Sequence, residues 1–102
     1  MKTPAQVRQQ LAAGHFEFSL HAFMRAVERN ISEDEIRVAG AQARTIEEYP
    51  EDKYSPSVLM LGFTSALRPL HIQVSLLDSE STKIITVYEP DPGEWTMFEK
   101  RR

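Results

Sequence analysis

Three helix starts are written into the first 35 residues of this chain, and they constrain its fold more than any other feature. Thr3 stands three residues ahead of Gln6 with Pro4 between them. This is a capping box with proline at the first helical position, where no amide hydrogen is needed. Gly14 supplies the left-handed stop. Ser19 caps a second helix, and Phe18 and Phe23 are spaced to close as a hydrophobic staple across that cap. Asn30, which tolerates the left-handed conformation, ends it. Ser32 and Glu35 form another capping box, with Ile31 and Ile36 as a second staple. Glu33 and Asp34 suit the positive end of that helix dipole. The apolar stripe of the third helix is Ile36, Ala39, Gly40 and Ala43.

Strand signals take over after residue 43. Residues 44–48 read as a short edge strand, followed by a polar loop, YPEDKYSPS, whose two prolines oppose regular structure. SVLMLGFT, PLHIQVSLL and KIITVYE are strand-like runs, joined by segments short enough for hairpins. The pattern predicts an α+β domain, with the N-terminal helices packed on one face of an antiparallel meander whose core strands are 58–64, 70–77 and 83–88. Strand parity places Leu70, Ile72, Val74 and Leu76 on one face and His71, Gln73 and Ser75 on the other. With Ile85 and Val87 as the core pair of the last strand, Thr86 and Tyr88 join His71 and Gln73 on a semi-polar second face. Phe23 and Val27 are expected to carry the buried face of the second helix. The tail, PDPGEWTMFEKRR, reads as a proline-broken loop anchored by Trp95 and Phe98, with a solvated basic end.

Composition narrows the function classes. The chain of 102 residues is read as one domain, 1–102, with room for a single core. Its formal net charge of −3 argues against generic nucleic-acid binding while leaving room for a local basic patch. It has no cysteine, so disulfides, thiolate chemistry and cysteine-type zinc sites are excluded. No apolar run of signal-peptide or membrane-spanning length is present, and a cytoplasmic protein with no membrane partner is the expectation.

The segment SLHAFMRAVER, Ser19 to Arg29, is the densest in chemistry. His21, Arg25 and Arg29 follow at four-residue steps, so they neighbour one another along a helix. Two arginines stacked this way repel unless Glu28 or a bound anion offsets them. A histidine beside two permanent cations suits phosphate: the arginines hold it and the histidine exchanges protons. The plainer reading is a solvated helix face, with Arg29 packed along its stem. On the sheet, His71 and Tyr88 are either ordinary half-exposed strand residues or the remaining catalytic groups. Metal-free RNA cleavage needs a base, a donor and cations on the phosphate, and His21, His71, Tyr88, Arg25 and Arg29 contain these groups. His15, His21 and His71 lack close metal-ligand spacing, so no metal or other cofactor is expected.

One longer pattern runs through nearly the whole chain. Ser19-x-His21-Ala22-x-x-Arg25-x-x-x-Arg29 is followed by Ile31, Glu35-Ile36, Arg68-Pro69-Leu70-His71, Ile85-Thr86-Val87-Tyr88, and then Pro90, Pro92 and Trp95. In order and spacing this resembles a bacterial domain-of-unknown-function family of small stand-alone proteins, over roughly residues 16–98. That family is similar, distantly, to the BrnT and RelE type toxins. The resemblance implies a compact α+β ribonuclease acting on RNA and neutralised by an antitoxin-like protein partner. The acidic balance of this chain departs from the basic character common in such toxins. A non-catalytic protein- or anion-binding module on the same fold is the alternative.

Overall fold

The caps do what their spacing predicts. In the computed structural model, which describes residues 1–102, helices α1 (Pro4–Ala13), α2 (Leu20–Glu28) and α3 (Glu33–Ala41) begin after Thr3, Ser19 and Ser32. Both capping boxes close, the Gln6 amide donating to Thr3 Oγ1 at 3.2 Å and the Glu35 amide to Ser32 Oγ at 3.1 Å. Ser19 accepts from the Ala22 amide at 3.1 Å. Gly14 and Asn30 take the left-handed conformation, with φ of 78° and 55°.

The strands are β1 (Phe16–Phe18), β2 (Arg44–Tyr49), β3 (Ser57–Phe63), β4 (Pro69–Ser75) and β5 (Thr82–Tyr88), with a small hairpin of β6 (Trp95–Thr96) and β7 (Lys100–Arg101). The main sheet has the order β1-β5-β4-β3-β2. Strands β2 to β5 form the expected antiparallel meander. The sheet is mixed, however, because β1 joins β5 in parallel, Phe16 opposite Thr82 and Phe18 opposite Ile84. Three residues between two helices are too few to show strand periodicity, so this pairing left no mark in the sequence. The tail likewise contains a hairpin rather than only a loop.

The core lies between the helices and one sheet face. Val7 and Leu11 of α1, Ile36 and Ala39 of α3, and Met60, Leu70, Ile72, Val74, Ile84 and Val87 of the sheet are buried together. Strand β3 approaches α3 so closely that a Cβ at Gly62 would lie 2.1 Å from the Ala39 carbonyl oxygen. Two expectations about the core are corrected. Phe23 and Val27 are 52% and 65% exposed, while Ala22 and Ala26 form the buried face of α2. The small methyl side lets α2 lie close against β5, whereas the bulky side would hold it away. On β5, Ile84 rather than Ile85 is the core residue. The register passes from Gln73 opposite Thr86 to Val74 opposite Ile84. This bulge leaves Ile85 without a partner and reverses the parity below it.

Gly62→Ala is expected to cost about 1–3 kcal/mol, because α3 backbone cannot yield to a methyl group. Phe23→Ala should cost about 1 kcal/mol or less, the worth of its edge contact with Phe18. Urea unfolding of the two variants checks both figures, and a loss at Phe23 equal to that at Gly62 would contradict the exposed position of its ring.

Candidate functional site around His71

Alternation along β4 and β5 aims His71, Gln73, Thr86 and Tyr88 away from the helices, and the register sets His71 opposite Tyr88 and Gln73 opposite Thr86. The semi-polar second face is therefore present. The C-terminal segment folds over the His71 end of it. Trp95 is buried, and its ring meets the His71 ring edge-on with centroids 4.4 Å apart.

His71 is completely buried and both its ring nitrogens are engaged. Nε2 lies 2.6 Å from the Phe98 carbonyl oxygen, and Nδ1 lies 3.1 Å from Tyr88 Oη. A carbonyl can only accept, so the proton resides on Nε2, and Nδ1 accepts from the Tyr88 hydroxyl. Burial pushes the His71 pKa below its ordinary value of 6.5, against the opposing pull of the Phe98 carbonyl and Glu47. Burial raises the Tyr88 pKa above 10.0. The pair is thus neutral near pH 7, with the phenol donating an ordinary hydrogen bond to the imidazole.

Charged groups ring this pair. Arg101 stacks on Trp95, its guanidinium 4.6 Å from the ring centroid, and donates to both carboxylate oxygens of Glu47 at 3.0 and 3.2 Å. Tyr49 also donates to Glu47. Burial alone would raise the Glu47 pKa, but the bonds from Tyr49 and Arg101 outweigh it and hold the carboxyl below 4.5. Arg29 donates to the Val87 carbonyl at 2.9 Å, and its guanidinium lies 5.9 Å from the centroid of the Tyr88 ring. Beside the covered end the second face is open. A groove of about 530 Å³ is lined by Tyr49, Asp52, Gln73 and Arg101 among others, and Asp52 and Gln73 also line an adjoining groove of about 760 Å³.

The structure therefore brings together His71, Tyr88 and Arg29 of the residues picked out from the sequence. It does not join the whole His21-Arg25-Arg29 ladder to them. Arg25 pairs with Glu28 at 3.0 Å on the exposed side of α2, and His21 is exposed with no hydrogen-bond partner. Glu47, Tyr49 and Arg101 were missed. Glu47 and Arg101 lie 54 positions apart, and no local spacing joins an edge strand to a C-terminal hairpin. No group of three or more His, Asp or Glu side chains is placed to hold a metal ion, and no helix is long and apolar enough to cross a membrane.

The burial of neutral His71 makes folding pH-dependent. Its folded pKa is depressed, so the unfolded chain takes up the proton first as pH falls. This contribution to stability is complete above about pH 6.5 and is lost as pH drops through that value towards the folded pKa. Glu35 and Glu47, held below 4.5, act in the same direction only at lower pH. Urea midpoints should fall between about pH 7 and pH 5, and His71→Gln should flatten that slope. An unchanged slope in the variant would place the titration elsewhere.

Comparison with known proteins adds a family to this geometry. No curated protein matches the chain, and no solved structure matches it. The model of the family described as a domain of unknown function (DUF4258) matches residues 18–89, a stretch holding α2, α3, β2 to β5 and both members of the His71–Tyr88 pair. The chain is a member of the DUF4258 family.

Proposed function

We propose that this domain is a RelE/BrnT-like, metal-independent endoribonuclease, able to serve as the toxin of a toxin–antitoxin pair. The observation that carries the reading is the Tyr88 hydroxyl donating to a neutral His71. Such a pair can move a proton. Tyr88 Oη takes the proton of a ribose 2′-hydroxyl while passing its own to His71 Nδ1. The freed 2′-oxygen forms a bond to the adjacent phosphorus as the bond to the 5′-oxygen breaks, leaving a 2′,3′-cyclic phosphate; the 5′-oxygen departs with a proton from solvent, and His71 returns its extra proton to solvent through Tyr88. His71 is sealed from solvent, so it takes its proton only through Tyr88, which is half-buried and keeps surface exposure. Arg29, beside the Tyr88 ring, is the nearest cation of α2 for the phosphate, with Arg25 and His21 on the exposed side of the same helix. The open groove offers a strand of RNA the Tyr49 ring and the Arg101 guanidinium, beside the acidic Glu51 and Asp52.

A specific observation favours a second reading, a non-catalytic binding module. Leu20, Phe23, Met24 and Val27 form an exposed apolar stripe along α2, of the kind that a protein partner covers.

Purified protein incubated with unstructured RNA in the presence of a chelator should yield cyclic-phosphate ends. Tyr88→Phe should slow this about 100-fold or more, since the proton-transferring hydroxyl is gone while the ring remains. His71→Ala, Arg25→Ala and His21→Ala run alongside show which groups act with it. Absence of cleavage and of RNA binding in a chain free of partner protein would leave the binding module as the reading; cleavage unchanged in all four variants would place the activity elsewhere.

A further inference from the structure

We propose that the C-terminal segment from Trp95 onward is an autoinhibitory latch, closed over His71 in this structure and able to open while the rest of the domain stays folded. The proposal rests on the ribonuclease reading for what the opened site does, and it deepens that reading by naming how the site is regulated.

Four observations carry it. First, the latch blocks the site with a backbone atom. The Phe98 carbonyl oxygen takes the Nε2 hydrogen of His71, which is where an anionic oxygen of a phosphodiester would accept. Second, the blocking turn is strained. Met97 and Phe98 are consecutive non-glycine residues with φ of 54° and 62°. Two in succession suit a hairpin turn, which the Glu99 amide closes on the Thr96 carbonyl at 3.0 Å, but that geometry favours Asn and Gly, and Met and Phe adopt it at a cost. Third, part of what holds the segment down is of a kind that gives way. Trp95 is buried against His71, Phe98 meets Phe63 edge-on, and Arg101 is bidentate to Glu47, but the rest are surface contacts: Arg44 with Glu99, and Arg102 Nε with the Pro92 carbonyl. Fourth, the family match ends at residue 89. The match holds the His71–Tyr88 pair but stops short of Pro90, Pro92 and Trp95, which the sequence pattern includes, so the covering segment lies beyond it.

The hinge is equally well defined. Glu89 is tied to Arg68 at 2.7 Å and Pro90 is buried, so the chain is held as far as residue 90. An Asp91 turn follows, in which the Gly93 amide donates to Asp91 Oδ1 at 2.8 Å. Beyond it comes the mobile part of the proposal, ending in Lys100, Arg101 and Arg102. A polyanion that reaches the open groove meets these cations first and competes with Glu47 for Arg101. Binding of RNA and release of the latch are thereby coupled.

The chain carries one tryptophan, so Trp95 fluorescence reports the latch directly. His15 and His21 are exposed and serve as internal controls for chemical modification of histidine. Met97→Val puts a β-branched residue at positive φ, and Glu99→Arg sets two cations against each other at Arg44. Met97 is 78% exposed, so neither change removes core packing. With no RNA present, both variants should show acrylamide quenching of Trp95 raised about tenfold over the parent, as a shift in the open population requires. Their His71 should become reactive to diethylpyrocarbonate by peptide mass mapping, with far-UV circular dichroism unchanged. Met97→Gly, which relieves the turn, should quench less than the parent. The proposal is overturned if His71 stays unreactive in both folded variants, or if it reacts only as the whole domain unfolds. Opened variants whose His71 is reactive but which leave unstructured RNA intact would overturn the ribonuclease reading and not the latch.

Discussion

The guanidinium of Arg68 is the junction on which the arrangement of this domain depends. It donates to the backbone carbonyls of Arg29 and Asn30 at 2.9 Å each, where α2 ends, and to Glu35 at 3.0 Å, where α3 begins. It also pairs with Glu89 just after β5. A helix C-terminus leaves carbonyls without partners, and a buried or half-buried end needs donors from elsewhere. Arg68 supplies them with a rigid fork that a lysine lacks. Glu35 is already the acceptor of the third helix cap, so one carboxylate serves the cap and the junction at once. The consequence reaches the site. With α2 pinned at this end, Arg29 meets the Val87 carbonyl on the outer edge of β5 and lies beside Tyr88.

The second face of the sheet shows what a buried histidine needs. A charged imidazole under Trp95 would be poorly solvated, so His71 is held neutral and its two nitrogens divide the roles of donor and acceptor. Glu47 and Arg101 sit close by but satisfy each other, and so impose no full charge on the ring. The same arrangement that stabilises the fold leaves the Tyr88 hydroxyl bonded to a neutral imidazole. This is why deleting the imidazole and deleting only the phenol hydroxyl are different experiments.

Helix α2 illustrates how an amphipathic pattern can be read backwards. Its sequence offers a bulky apolar side and a small apolar side, and hydrophobicity favours the bulky one as the buried face. The fold uses Ala22 and Ala26, because β1 occupies one part of the β5 edge and α2 must cross close to the remainder. Ser19 marks the change: its amide donates to the Ile84 carbonyl at 3.2 Å as β1 ends, and its hydroxyl caps the helix. The larger side chains are left outside.

Local chemistry was enough to locate the helix starts, since a capping box is satisfied within four residues, and to locate β2 to β5, since their apolar runs and short connections point to one another. It also placed His71 and Tyr88 on a common face, because alternation in a strand follows from backbone geometry alone. Distance in sequence hid the rest. The parallel pairing of β1, the bulge at Ile85, the inward side of α2 and the meeting of Glu47 with Arg101 each depend on which elements come together. So does the closure of Trp95 and Phe98 over His71. Those outcomes are set by packing of the whole chain, where the available space and the partners for buried polar groups decide between patterns that are locally equivalent.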